Sequence, residues 1–185
     1  MYSGNSRTTN LLGALALEAA RLMETVREPA GEAGAAASAL VTIGAYPGRT
    51  IEQLRAPLGL SQPGAARLVE RLRVAGLVTR KGSRGRLGFE LRLTGAGRAV
   101  VDELLARRRA VLADLLEPLS EAEAARLEAL LEKLLAARTH ERADLERLCR
   151  LCERSACERC PVAAAQADGP RAGRRPALEA ESSHQ

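Results

Sequence analysis

The chain has 185 residues, of which 46% are apolar but only 2% are aromatic, and it contains no Trp. A core built from Leu, Ala and Val favours packed helices and disfavours a β-sandwich or barrel, because strands are enriched in aromatic and β-branched residues. Residues 1–30 lack the basic segment and apolar run that predict a signal peptide. No apolar run in the sequence is long enough to cross a membrane. We therefore expect a cytoplasmic protein whose thiols stay reduced.

The excess positive charge is concentrated in one part of the chain. Residues 67–92 contain eight basic residues against Glu70 and Glu90, which is a net charge of +6. The remaining residues carry 20 basic and 21 acidic side chains, a net charge of −1, so the overall +5 comes from this window alone. A local excess of this kind is typical of proteins that bind a phosphate backbone. On charge alone, a solvated arginine-rich surface fits equally well.

The first part of the chain predicts two helices. Residues 1–9 are polar and predict a flexible N-terminus. From Asn10 onward apolar residues recur at helical spacing, until Pro29 and the glycines after it end the pattern. A short apolar helix is predicted over residues 35–44, which is followed by the turn-forming residues 46–48.

The next segment predicts two short helices joined by a tight turn. Thr50 and Gln53 have the spacing of a capping box, which marks the start of the first helix. Gly59 supplies the turn, and Ser61 fits the N-cap of the second helix, with Pro63 tolerated in its first turn. Two helices connected in this way are a candidate helix-turn-helix.

After Gly76 the apolar spacing changes from helical to alternating. Residues 77–80 and 87–93 predict two strands, and the basic, glycine-rich residues 81–86 between them predict the turn. A basic β-hairpin directly after a helix-turn-helix is a wing.

Two long helices are predicted after the wing. Thr94 begins one that ends at Pro118, and the capping box that starts at Ser120 begins another, which is expected to continue through Leu148. Their apolar surface exceeds what one small domain can cover, so we expect dimerisation through these helices and the first one. The alternative is a helical hairpin that packs within one subunit.

All four cysteines lie in one segment with the spacing C-x2-C-x4-C-x2-C, at Cys149, Cys152, Cys157 and Cys160. If the last helix continues, the first two cysteines share one of its sides. Two such pairs can form the tetrahedral thiolate cage of structural zinc, whose negative charge the neighbouring arginines would offset. An iron–sulfur cluster and metal-free thiols that respond to oxidation are the alternatives. Residues 149–161 are therefore a predicted metal-binding motif, and residues 162–185 predict a disordered tail.

Several motifs resemble those of the MarR (multiple antibiotic resistance regulator) family of transcription factors. They are Leu-Gly-Leu-Ser-Gln at 58–62, Arg-Leu-Val-Glu-Arg-Leu at 67–72, Ala-Gly-Leu-Val at 75–78 and Leu-Arg-Leu-Thr-Gly-Ala-Gly-Arg at 91–98. The resemblance covers residues 8–148 and implies a mainly α fold: a winged helix-turn-helix with a small β-hairpin wing and long N- and C-terminal dimerisation helices, over residues 10–148. The four-cysteine motif is an addition to the family pattern.

The family resemblance also implies a function. Proteins of this kind bind short palindromic DNA operators as homodimers, usually repress transcription, and release DNA when a small-molecule inducer or an oxidant arrives. The helix that begins at Ser61 would enter the major groove, where Gln62 would face an adenine and the arginines of that helix would contact phosphates. Arg86 matches the wing arginine of the family, although Gly85 stands where an aspartate is usual. The candidate DNA-binding residues are Ser61, Gln62, Gly64, Ala65, Arg67, Arg71, Arg84 and Arg86.

Two other classes of function are alternatives to DNA binding. A winged helix can instead serve as a protein-interaction module, with the four-cysteine segment as a docking element. An enzyme is disfavoured, because the sequence shows no nucleophile–base pair, phosphate loop or catalytic histidine arrangement. No small-molecule site is assigned: Arg21, Tyr46 and Arg49 are candidates for the family's ligand pocket, but the chain has almost no aromatic residues to line it.

Overall fold

The computed structural model describes residues 6–26, 34–82, 89–157 and 160–167. These residues form eight α-helices and one two-stranded antiparallel sheet, so the predicted mainly α, winged-helix fold is confirmed. In chain order the elements are α1 (Ser6–Val26), α2 (Gly34–Ala45), α3 (Ile51–Arg55), α4 (Gln62–Val74), β1 (Val78–Lys81), β2 (Glu90–Leu93), α5 (Gly95–Leu116), α6 (Glu121–Ala136), α7 (Arg142–Leu148) and α8 (Pro161–Ala167). None of the described helices is long and apolar enough to span a membrane.

Helix α2 lies at the centre of the core. Eight of its twelve residues are Ala, Val, Leu or Ile, and Ala39, Leu40 and Ile43 are 0–1% exposed. An apolar helix without a polar face must be covered on all sides, and α3, α4, α5 and β2 pack around α2. Burial of a large aliphatic side chain contributes about 1.5–3 kcal/mol, so this helix is a main source of stability for the domain.

The two helices of the helix-turn-helix begin where the capping residues predict. Thr50 and Gln53 form the capping box of α3, and the Ser61 hydroxyl accepts a hydrogen bond from the Gly64 N–H at the start of α4. The turn between the helices needs Gly59, whose φ of +64° lies in the left-handed region. These local interactions fix the direction in which α4 leaves the core.

The wing is a regular antiparallel pair. Val78 lies opposite Leu93, and Arg80 lies opposite Leu91, with Val78 and Leu91 buried against the helices. Of the predicted turn at residues 81–86, Lys81 belongs to β1, and residues 83–86 lie outside the described part of the chain.

The start of α5 lies very close to the chain that enters β1. The Thr94 hydroxyl donates to the Gly76 carbonyl oxygen at 2.6 Å and accepts from the Gly97 N–H at 3.0 Å. Gly97 faces the Leu77 carbonyl, and a Cβ at this position would collide with that oxygen. The close approach therefore requires a residue without a side chain at position 97.

Three predictions about helix boundaries are wrong. Helix α1 begins at Ser6, so residues 6–9 of the predicted flexible N-terminus are helical. The helix that starts at Glu121 ends at Ala136 and does not continue through Leu148, because a turn precedes a new capping box of Glu141 and Asp144. Residues 162–167 of the predicted disordered tail belong to α8, where Val162 is buried; residues 168–185 lie outside the described part of the chain.

Gly97→Ala should destabilise the protein by several kcal/mol, on the order of 3, since the new methyl group cannot avoid a backbone oxygen. Gly95→Ala, two residues earlier in the same helix, is the matched control because nothing lies within 4 Å of its Cβ position. Chemical denaturation of both variants measures the effect. Equal stability of the two variants would show that α5 does not approach β1 so closely.

Candidate nucleic-acid interface and four-cysteine site

The N-terminal turn of α4 is exposed but offers few free backbone donors. Ser61 and Gln62 are exposed, and the Gln62 side chain is available to a groove. The Ser61 hydroxyl already occupies the Gly64 N–H, and Pro63 has no N–H to offer. Recognition at this end of the helix would therefore depend on side chains more than on the backbone.

The prediction that Ala65 contacts DNA is wrong. Its side chain is fully buried on the face of α4 that packs against the core, with Leu68, Val69 and Leu72. Its N–H donates to the Ser61 carbonyl oxygen at 2.9 Å. Both its side chain and its N–H are therefore committed to the fold.

Arg67 and Arg71 lie one turn apart on the exposed side of α4. Neither side chain makes a hydrogen bond or ion pair with another described residue, whereas other arginines of the basic window do. Arg73 and Arg80 both contact Glu70, and Arg92 contacts Glu90. The hydrogen bond from Arg73 holds the pKa of Glu70 below its usual value. The basic window is thus partly neutralised, and its unpaired charge on α4 is at Arg67 and Arg71.

The predicted wing residues Arg84 and Arg86 lie outside the described part of the chain. Their proposed contacts with DNA stay predictions.

The four cysteines are brought together by a change of chain direction. Cys149 caps the C-terminus of α7, and the N–H of Cys152 donates to its carbonyl oxygen at 3.1 Å in a turn. A single 3₁₀ turn at Arg154–Ala156 then leads to Cys157, and Cys160 immediately precedes α8. The expectation that the first pair lies on a continuous helix is therefore wrong, but the turn still places all four side chains along the same cavity.

The thiols influence one another. Burial raises the pKa of Cys149 to about 12, and the thiols of Cys152 and Cys160 add to the rise. Burial, together with the neighbouring Cys160, also raises the pKa of Cys157. Within the described ranges, no three His, Cys, Asp or Glu side chains have the arrangement of a metal site as they stand. The fold collects four sulfur donors, which is the donor set that suits zinc or an iron–sulfur cluster, and a bound metal would have to draw them around one point.

The cavity beside the thiols has a volume of about 270 Å³. It lies between the C-terminal end of α2 and the cysteine segment, and its charged lining consists of three arginines and one glutamate. These side chains are Arg49, Arg150, Arg154 and Glu146. With neutral thiols the lining carries a net charge of +2, which would favour anionic, metal-bound thiolates over neutral ones.

A buried ion pair joins the two walls of this cavity. Arg49 is 9% exposed, and its Nη2 atom lies 2.6 Å from Oε1 of Glu146 on α7. The Arg49 guanidinium also stacks over the Tyr46 ring at 4.0 Å, and Arg154 contacts the same ring at 4.6 Å. Sequence analysis missed the role of Glu146, because a pair separated by 97 residues leaves no local pattern.

Several large apolar side chains are exposed in the chain taken alone. They lie on α1, at the end of α5 and on α6: Leu11, Leu12, Leu15, Leu17, Leu116, Leu119, Leu130, Leu131, Leu134 and Leu135. A concentration of exposed leucines on long helices is typical of surfaces that bind another protein chain.

Comparison with known proteins agrees with this architecture. A family model described as "MarR family" matches residues 33–86, which span α2 to the wing. A MarR family protein from Bacillus stearothermophilus is 25% identical over 71% of this chain and 96% of its own, with a TM-score of 0.62. The predicted resemblance to the MarR family is confirmed.

Other solved structures share the fold at lower identity. Wild-type MarR from E. coli is 24% identical over 69% of this chain and 96% of its own, with a TM-score of 0.56. RV1404 from Mycobacterium tuberculosis is 21% identical over 71% and 92% of the two chains, with a TM-score of 0.63. No curated protein sequence matches the chain. The family match ends at residue 86, so it does not extend to the cysteines.

Proposed function

We propose that the protein is a sequence-specific DNA-binding transcription regulator of the MarR type, which binds a palindromic operator as a homodimer and acts as a repressor. The observation that carries this proposal is the pair of exposed arginines, Arg67 and Arg71, on the outer face of α4 in a winged helix-turn-helix. The MarR-type fold itself supports a transcription regulator.

Helix α4 has the properties of a recognition helix. One face is buried against α2 and the wing, while the opposite face is exposed and basic. Phosphate contacts by Arg67 and Arg71 would position the helix, and Gln62 at its N-terminus would reach a base edge. Arg84 and Arg86 in the wing would contribute further positive charge.

The exposed leucines support a homodimer. Helices α1 and α6 each present a row of leucines that are 38–76% exposed in the single chain. Two-fold symmetric association would cover them and would place two copies of α4 on neighbouring half-sites of a palindrome.

The cysteine segment is proposed to hold structural zinc through Cys149, Cys152, Cys157 and Cys160. Four thiolates would carry two negative charges in excess of the zinc ion, and the cavity lining supplies a net charge of +2. When bound, such an ion would cross-link the turn after α7 to the segment that enters α8.

Arg67→Ala combined with Arg71→Ala should weaken DNA binding on all sequences to a similar extent. The dependence of log K on log salt should become shallower by about 1 for each lost phosphate contact, or about 4 for a dimer. Fluorescence anisotropy with a duplex selected from a random-sequence library measures both effects.

The matched control for this pair is Arg21→Ala with Arg107→Ala, which removes the same charge from α1 and α5. Each control arginine is exposed and pairs with a glutamate of its own helix, so its loss should leave the salt dependence unchanged. If the α4 variant binds DNA like the wild type, the winged helix is a protein-interaction module instead.

Leu130→Glu with Leu134→Glu should convert the dimer to a monomer, since charges at an apolar interface oppose association. Ala122→Glu with Ala129→Glu introduces the same charge at exposed positions on another side of the same helix, is the matched control, and should stay dimeric. Sedimentation velocity measures the state of each variant. A wild-type protein that sediments as a monomer would contradict the proposed dimer.

Metal analysis of protein purified without oxygen should find equimolar zinc, which Cys152→Ser should abolish. Ala156→Ser changes an exposed residue between the cysteines, keeps all four thiols, and should retain the metal. Iron with inorganic sulfide would replace the zinc proposal by an iron–sulfur cluster. Metal-free protein with four reactive thiols would contradict both.

A further inference from the structure

Arg49 has a backbone that belongs to the DNA-binding elements. Its carbonyl oxygen accepts a hydrogen bond from the Leu91 N–H at 2.8 Å, and the Gly48 N–H donates to the Leu91 carbonyl at 3.0 Å. The segment that contains Arg49 therefore runs beside wing strand β2. The next residue, Thr50, caps α3, the first helix of the helix-turn-helix. A shift of Arg49 would move both elements.

The side chain of Arg49 belongs to the cysteine site. It binds Glu146, which lies one helical turn before Cys149 on α7, and stacks on Tyr46. The other contact of the Tyr46 ring is Arg154, which lies between Cys152 and Cys157 in the sequence. The helix that leads into the cysteine segment and the residue at its middle are thus connected to one buried guanidinium, through Glu146 and through the Tyr46 ring.

Arg49 also has an unused donor. Its Nη1 atom is buried without a hydrogen-bond acceptor, and no other buried side-chain N or O atom in the described residues lacks one. A buried donor without an acceptor destabilises the folded state, because it has lost its hydrogen bonds to water. Arg49 lines the same cavity as the four cysteines. A neutral thiol is a weak acceptor, whereas a metal-bound thiolate is negatively charged and a much better partner for a guanidinium.

We propose that Arg49 couples the four-cysteine site to the wing and the helix-turn-helix, so that metal binding by the cysteines sets the affinity for DNA. Arg49 acts as a positioning residue that is held on one side by Glu146 and on the other by the Tyr46–Arg154 stack. Metal-bound thiolates strengthen its hold, and the Arg49 backbone then fixes β2 and the start of α3. This coupling rests on the proposed metal and DNA binding.

The central experiment compares zinc-loaded protein with metal-free protein prepared with a chelator under reducing conditions. Affinity for a duplex selected from a random-sequence library should fall on metal removal by a factor typical of coupled sites, about 5–150-fold. In the same two samples, hydrogen exchange of the Leu91 amide should accelerate, because that amide donates to the Arg49 carbonyl.

Two variants should uncouple the sites while retaining zinc. Glu146→Gln removes the charged partner of Arg49, and Arg154→Gln removes an exposed arginine from the Tyr46 stack without disturbing the core. In either variant, the ratio of the DNA affinities of zinc-loaded and metal-free protein should be close to 1. Arg150→Gln is the matched control for Arg154→Gln: it removes the same positive charge from the same cavity, but among the described residues the Arg150 side chain bonds only to the Arg147 carbonyl. It should keep the wild-type factor.

The possible results separate this proposal from the proposed function. If wild-type protein binds DNA equally well with and without zinc, and Leu91 exchange is unchanged, the coupling is overturned although DNA binding stands. If the metal effect persists in both Glu146→Gln and Arg154→Gln, the route through Arg49 is overturned. If no state binds DNA, the proposed function fails, and the Leu91 exchange rates alone still decide whether the cysteines and the wing are coupled.

Discussion

The C-terminal part of the structure depends on a buried charge. Arg49 is enclosed by α2, the wing and α7, and a guanidinium in such a place needs an anionic partner. Glu146 supplies that partner across 97 residues of sequence. An enclosed pair of this kind adds little net stability, but the loss of Glu146 would leave the Arg49 charge without its ionic partner, at a cost of about 3–5 kcal/mol. Glu146, in contrast, also pairs with Arg142 on its own helix. The ion pair therefore specifies where α7 lies, and the cysteine segment follows from α7.

The winged-helix part follows from local rules, and the sequence predicted it well. Thr50, Ser61 and Thr94 are hydroxyl caps that mark the first turn of three helices, and all three accept the expected backbone N–H groups. The alternation around Leu91 gave the strand pairing, because only one face of the hairpin can be buried. Capping residues and alternating apolar residues depend on near neighbours in the chain, so they can be recognised in a single sequence.

The errors arose where tertiary structure overrides local preference. Residues 137–140 contain no proline or glycine, and Ala137 and Arg138 favour a helix, so nothing in their composition announces the end of α6. In the structure the buried Thr139 turns its hydroxyl back to the Leu135 carbonyl, and Asp144 accepts the N–H groups of the following turn. Ala65 was assigned to the DNA interface for a related reason. A small residue in a recognition helix can lie against the DNA groove or in the protein core, and only the tertiary packing decides between the two.

The four cysteines lie beside residues that connect to the wing and the helix-turn-helix. A metal site on an isolated tail would stabilise that tail alone, but these four cysteines line a cavity together with Tyr46 and Arg49, in the segment that connects α2 to α3 and borders β2. Metal binding to the thiols would change the charge inside that cavity, while its net +2 lining of arginines and glutamate would stay constant. The largest response to that change belongs to the most buried charge with a free donor, which is Arg49. Because Arg49 is buried, its charge needs Glu146 as a partner. For the same reason, the position of Arg49 would respond to a change in the charge of the thiols.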